Sequence, residues 1–114
     1  MMLLDTDAVI GLLREGEYEP GGISVITLVE VLRGVGEEKR GQVKGLLEES
    51  FQILGLDNEA VLTYCSLYGR LREGGEVIPE ADLLIAATAI SRNIPLKTGD
   101  GHFQRLREYG LELT

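Results

Sequence analysis

Short apolar runs alternate along this chain with longer amphipathic stretches. Met2-Leu3-Leu4 predicts a buried strand that ends at Asp5. Residues 7–15 predict a helix with Val9, Ile10, Leu12 and Leu13 on its apolar side. Gly21-Gly22-Ile23-Ser24 predicts a second strand, and helices follow over residues 25–35 and 37–49. Residues 51–54 read as a third strand. A long helix over 57–72 carries Ala60, Val61, Tyr64, Leu67, Tyr68 and Leu71 at spacings of three and four. Pro79 stands in the first turn of the next helix, which runs to Arg92. Residues 94–98 predict a fourth strand, 102–109 a short helix and 111–113 a last edge strand. Pro20, Pro79, Pro95 and the pairs Gly21-Gly22 and Gly74-Gly75 fall between apolar segments, as breakers should.

Strands that alternate with helices imply an α/β fold, a parallel sheet covered by helices on both faces. Strands this short and apolar suit a doubly buried sheet. Ligands of such sheets bind beyond the carboxyl ends of the strands. Asp5 ends the first strand and Asp100 lies just past the fourth. If those two strands are neighbours, the two carboxylates converge.

Composition narrows the class. A chain of 114 residues fits one domain, here residues 1–114. A single cysteine excludes an internal disulfide framework and a cysteine-based zinc site, and Cys65 reads as an inert core thiol. No apolar run approaches the roughly 18–20 residues of a membrane span. Met1-Met2-Leu3-Leu4-Asp5 lacks the basic region and long apolar stretch of a signal peptide, so the expected setting is cytoplasmic. A net charge of −8 gives the surface no general attraction for nucleic acid. A polyanionic partner would need a local offset, either a bound divalent cation or a confined basic patch. Arg14, Arg33, Lys39, Arg40 and Lys97 are the basic candidates.

The acidic residues carry the chemistry. Fourteen are Glu and five are Asp. Asp57 looks like an ordinary helix cap, whereas Asp5, Asp7, Asp82 and Asp100 lie at element ends. Glu30 and Thr27 are the only polar residues from Val25 to Leu32, and three positions apart they share a helix face. A carboxylate in so apolar a stretch is costly unless paired or coordinated. The packing alternatives are a Glu30–Arg33 pair or a surface stripe on an otherwise buried helix. Asp82 heads the stripe of Ile85, Ala86 and Ala89 on a helix that reads as buried; its packing alternative is a favourable first-turn charge. Asp5 and Asp7 compete for one N-cap role, and Asp100 could be a turn residue. Taken together, Asp5, Glu30, Asp82 and Asp100 would repel in one pocket unless a hard cation sits among them. Carboxylate oxygens are the ligands of Mg²⁺ or Mn²⁺. Such an ion lowers the pKa of a bound water and neutralises charge on a phosphoryl oxygen.

These residues carry a resemblance. Leu4-Asp5-Thr6-Asp7-Ala8-Val9-Ile10, the run from Ser24 to Gly34 around Glu30, the run from Ile78 to Ala89 around Asp82, and Thr98-Gly99-Asp100-Gly101-His102-Phe103 follow one another as in PIN-domain ribonucleases. The chain resembles those that serve as VapC toxins in prokaryotic toxin–antitoxin pairs. The resemblance implies a three-layer fold with a five-stranded parallel sheet in the order 3-2-1-4-5. It implies a Mg²⁺- or Mn²⁺-dependent endoribonuclease acting on single-stranded or loop RNA, with Asp5, Glu30, Asp82 and Asp100 as its acidic quartet. By the same resemblance Asp5, Asp82 and Asp100 hold the metal, Glu30 and Asp100 partly through water. Thr98 supports the fourth acid, and Thr6 and Arg33 support the site. A VapB-type antitoxin would cover the cleft with a basic side chain among the carboxylates, and a homodimer is expected. Gly99, where many relatives carry a polar residue, and the extra carboxylate of Asp7 are departures from the pattern.

Two other readings come from different classes. A haloacid-dehalogenase-like phosphatase would use Asp5 as a covalent nucleophile in Asp5-Thr6-Asp7-Ala8-Val9, but gives Glu30 and Asp82 no part. A non-catalytic PIN-like binding domain would keep the fold without turnover. His102, the only histidine, reads as a surface or capping residue that could touch RNA at the cleft mouth. Tyr64 and Tyr68 read as packing partners.

Overall fold

A computed structural model describes residues 1–114. Four strands make one parallel sheet: β1 (Leu3–Leu4), β2 (Gly22–Ser24), β3 (Gln52–Leu54) and β4 (Leu96–Lys97), in the order β3-β2-β1-β4. Helices α1 (Thr6–Glu15), α2 (Val25–Arg33), α3 (Glu37–Ser50), α4 (Asn58–Glu73) and α5 (Glu80–Arg92) alternate with them, and a 3-10 helix spans Gly101–Tyr109. Leu3 pairs with both Gly22 and Leu96, so β1 is central and β4 is its neighbour.

The strand count differs from the expected five. Leu111–Leu113 forms no ladder; Leu113 makes a single parallel bridge to Leu96. Gly110 takes a left-handed conformation that ends the 3-10 helix, and Leu111 then turns inward to be buried. Only Leu113 is left in register with β4, in the expected fifth position.

Alternation within two residues sets the layers. Leu3 and Leu4 are both fully buried but face opposite ways, as strand neighbours must. Leu3 joins Leu67, Leu71, Leu83, Ile85 and Phe103 under α4, α5 and the 3-10 helix. Leu4 joins Val9, Ile23, Leu28, Val31, Leu47 and Phe51 under α1, α2 and α3. Burying each such leucine contributes roughly 1.5–3 kcal/mol. Ala86, Ala87 and Ala89 let α5 lie close against its neighbours. Gly21 permits the approach of the chain to β1: a Cβ there would stand 2.6 Å from Leu4 Cδ1 and 2.8 Å from the Met2 carbonyl oxygen.

Helix α4 buries less than its pattern predicts. Ala60, Leu67 and Leu71 are buried, but Val61 and Tyr68 are exposed. Cys65 is exposed too, not a core thiol. It follows Tyr64 by one residue, about 100° around the helix from the buried stripe. No helix is long and apolar enough to cross a membrane.

Candidate metal centre

The carboxyl ends of β1 and β4 place the first acids. Asp5 follows β1 and caps α1: its Oδ1 accepts the Ala8 amide N–H at 2.9 Å. Its own amide donates to the Lys97 carbonyl on β4 at 3.1 Å. That bond draws Thr98 alongside, and the Thr98 hydroxyl donates to Asp5 Oδ2. The same hydroxyl oxygen accepts the Asp100 amide N–H at 2.9 Å. One side chain thus ties the end of β1 to the start of the 3-10 helix. Asp5 rather than Asp7 takes the cap, and Asp7 is left exposed in the first turn.

Glu30 comes from the apolar helix α2. The Thr6 hydroxyl donates to its Oε1 at 2.6 Å and lies 3.1 Å from the buried Thr27 hydroxyl. Arg33 reaches Glu30 Oε2 at 3.5 Å, but its side chain is 72% exposed. The Glu30–Arg33 pair offered as the packing alternative is therefore present, between a largely exposed guanidinium and a mostly buried carboxylate. Asp82 is in the first turn of α5. Asp100 caps the 3-10 helix, accepting the His102 amide N–H at 3.2 Å.

His102 is the residue the pattern of acids missed. Its Nε2 lies 2.6 Å from Asp82 Oδ2 and its Nδ1 lies 2.7 Å from Asp100 Oδ1. It reads from the sequence as a surface or capping residue; its side chain does keep 27% of its exposure, and it also bridges two of the acids. Its position two residues after Asp100, at a helix start, was the available signal. Donor atoms of Asp82, Asp100 and His102 lie within 4.8 Å of one another, a spacing that can hold a metal ion.

The charges feel one another. Burial pushes the Asp5 carboxyl above its ordinary 3.8; the charges of Asp7 and Asp82 add to the rise, and the Thr98 and Ala8 hydrogen bonds oppose it. Burial also pushes Asp82 up, Glu30 and Asp100 raise it further, and His102 works against the rise. Contacts link all four acids: Thr6, next in the chain to Asp5, holds Glu30, Thr98 joins Asp5 to Asp100, and His102 joins Asp100 to Asp82.

The basic candidates do not balance the cluster. Lys97 pairs with Glu19, and Arg40 donates to the carbonyls of Leu32 and Val35 at the end of α2. Arg14 and Lys39 are exposed, with no ion pair to the cluster. Carboxylates gathered from four elements, with no lysine or arginine against Asp5, Asp82 or Asp100, form a donor set that fits a hard divalent cation.

Residues 2–109 match the PIN domain profile. The chain belongs to the PIN domain family, VapC type. It is 40% identical to Ribonuclease VapC1 of Methanocaldococcus jannaschii over 98% of this chain and 85% of that one. Its fold superposes on VapBC-1 from nontypeable Haemophilus influenzae with a TM-score of 0.83 at 27% identity, covering 99% of this chain and 96% of the other. VapBC-5 from Mycobacterium tuberculosis, a member of the VapBC family of toxin-antitoxin systems, gives a TM-score of 0.74 at 30% identity over 98% and 95% of the two chains. The three-layer PIN fold expected from the four motifs is the fold found, apart from the reduced fifth strand. Membership removes the haloacid-dehalogenase reading of the Asp5-Thr6-Asp7 start.

Proposed function

We propose that this PIN domain is the toxin of a VapBC-type pair, an endoribonuclease that depends on Mg²⁺ or Mn²⁺. The carrying observation is the linked set of acids: Thr98 joins Asp5 to Asp100, and His102 joins Asp100 to Asp82. Asp5, Asp82 and Asp100 would hold the cation. Once bound, it would offset charge on phosphoryl oxygens and make water a stronger nucleophile.

The chain's own side chains do the remainder. Thr98 fixes the Asp5 carboxylate so that one oxygen caps α1 and the other is turned toward β4. Thr6 orients Glu30, which is placed to accept a proton from an attacking water. Exposed Arg33 is placed to meet the RNA backbone at the rim. The cluster lies open: the Asp82, Asp100 and His102 side chains keep 23%, 32% and 27% of their exposure, so a polymer can reach it. A VapB-type antitoxin is the protein partner, and RNA as substrate puts the work in the cytoplasm.

The test is cleavage of a structured RNA pool by the purified chain with Mg²⁺ or Mn²⁺ and with EDTA. Cleavage with either cation, and none with EDTA or after Asp5→Asn, is the expected result. Cleavage that persists in EDTA overturns the reading. Co-purification of a small DNA-binding protein that silences cleavage checks the partner.

A further inference from the structure

A groove of about 270 Å³ opens between the end of α4 and the start of α5. Its floor is apolar, made by the buried side chains of Leu71, Ile78 and Leu83. Leu83 follows Asp82 directly, so the floor begins one residue from the acids. The rim is aromatic and polar. Tyr68 is 47% exposed, and Arg72 donates to its hydroxyl at 3.2 Å. Glu76 also lines the opening, and its Oε2 accepts from Arg105 at 3.1 Å. Arg105 stands on the 3-10 helix that carries Asp100 and His102. Groove and acids are thus held by the same two elements, α5 and the 3-10 helix.

The volume falls below the roughly 300–1,000 Å³ of pockets that enclose drug-sized ligands, and leaves room for one ring system. It is too small for a partner's helix, about 10–12 Å across with its side chains. We propose that the groove receives one base of the RNA beside the bond that is cut, and that this base is guanine. The inference rests on the ribonuclease reading of the adjoining acids. Tyr68 offers a ring for stacking, a contact open to any base. The Glu76–Arg105 pair supplies the choice, because it sets an acceptor beside a donor. Arginine suits guanine O6, and the carboxylate suits the N1–H next to it. Adenine and cytosine present an amino group where arginine needs an acceptor. Uracil lacks the 2-amino group that gives the carboxylate a second donor. Arg72, at the rim, is placed for the neighbouring phosphate.

The experiment maps cut sites in a randomised RNA pool with Mn²⁺ and with Mg²⁺, for the full chain and for Glu76→Ala and Tyr68→Leu. Circular dichroism checks the fold and sedimentation reads the mass. A second arm titrates guanosine and adenosine monophosphates into the chain and follows the methyl signals of Val77 and Leu83 by NMR. Wild type should cut beside guanine about tenfold or more above the other bases. Guanosine monophosphate should shift both methyl signals at about tenfold lower concentration than adenosine monophosphate. Glu76→Ala should spread the cuts over all four bases. Tyr68→Leu should keep the guanine preference and lower cleavage by about tenfold. A cut-site distribution unchanged in Glu76→Ala overturns the proposal. So does a Tyr68→Leu chain that loses mass in sedimentation with its cleavage unchanged, which would give the groove to a second copy of the chain. Cleavage with no base preference sinks the pocket and spares the ribonuclease; methyl shifts with guanosine monophosphate but no cleavage under either cation do the reverse.

Discussion

Asp5 and Asp57 start helices in the same way. Each accepts the amide N–H three residues on, from Ala8 and from Ala60, and both bonds measure 2.9 Å. Their second oxygens part company. Asp57 is half in water, its side chain 51% exposed, and Arg92 stands 3.3 Å away. Asp5 is 3% exposed, meets only the Thr98 hydroxyl and lies among other carboxylates. The local chemistry of a cap is thus satisfied twice, and only in one case is the leftover charge balanced. Capping and ligation are compatible uses of one carboxylate, because each takes a different oxygen. The difference lies in what surrounds the second oxygen, which neither residue type nor helix position reports.

Replacing the two residues alike is the strongest way to break that contrast. Asp5→Asn should lower RNA cleavage by on the order of 10²–10³-fold, the usual scale for losing one electrostatic group of a reaction centre. Asp57→Asn should leave the rate unchanged in the same assay. Thr98→Val comes next. It removes the donor to Asp5 and the acceptor for the Asp100 amide, and should weaken Mn²⁺ binding by about 10–100-fold in calorimetry.

Stability should move in opposite directions. Asp57→Ala loses a cap and should destabilise the fold by about 0.5–2 kcal/mol in thermal or denaturant unfolding. Asp5→Asn keeps an oxygen for the cap and removes a crowded buried charge, though it loses the acceptor for the Thr98 hydroxyl; because burial is the largest influence on that carboxyl, the variant should be the more stable metal-free fold at pH 7 in the same unfolding measurement. The sign with pH follows from linkage. The folded Asp5 carboxyl sits above its ordinary 3.8, so the folded chain holds that proton more tightly than the unfolded chain. Its contribution to wild-type stability therefore falls as pH rises from 3.8 through the folded value. The advantage of Asp5→Asn should be complete above that window and fade below it; an advantage that grows in acid contradicts this account. The smallest effect is expected at Arg33→Ala, within about 0.5 kcal/mol, because its partner contact is largely solvated.

Much of this was legible in the sequence, for physical reasons. Doubly buried strands have to be apolar runs, so β1 to β4 and their parallel sense could be read; the order that makes β1 and β4 neighbours, and so brings Asp5 to Asp100, came only from the resemblance to PIN domains. Glu30 and Asp82 stood out because a charge among buried positions needs an explanation. The remainder depended on contacts between distant residues. Asp7 was as good a cap as Asp5 until the Lys97 carbonyl and Thr98 hydroxyl chose between them. His102 offered one histidine at a helix start, and only the packing of α5 against the 3-10 helix brought Asp82 to its ring. Cys65 was misjudged by a single helical step. Leu111 followed the strand pattern, but the inward turn after Gly110 drew it into the core instead.

The 3-10 helix has one more consequence. Such helices bond less well than α-helices, and runs of nine residues are uncommon. Asp100 and His102 ride on it, while Asp5, Glu30 and Asp82 are set by β1, α2 and α5. Phe103 and Leu106, both fully buried, are what fix that helix to the core, so the placing of two of the site's side chains depends on two apolar anchors. Loss of either anchor would therefore disturb Asp100 and His102 before the other three acids, which stand on elements of their own.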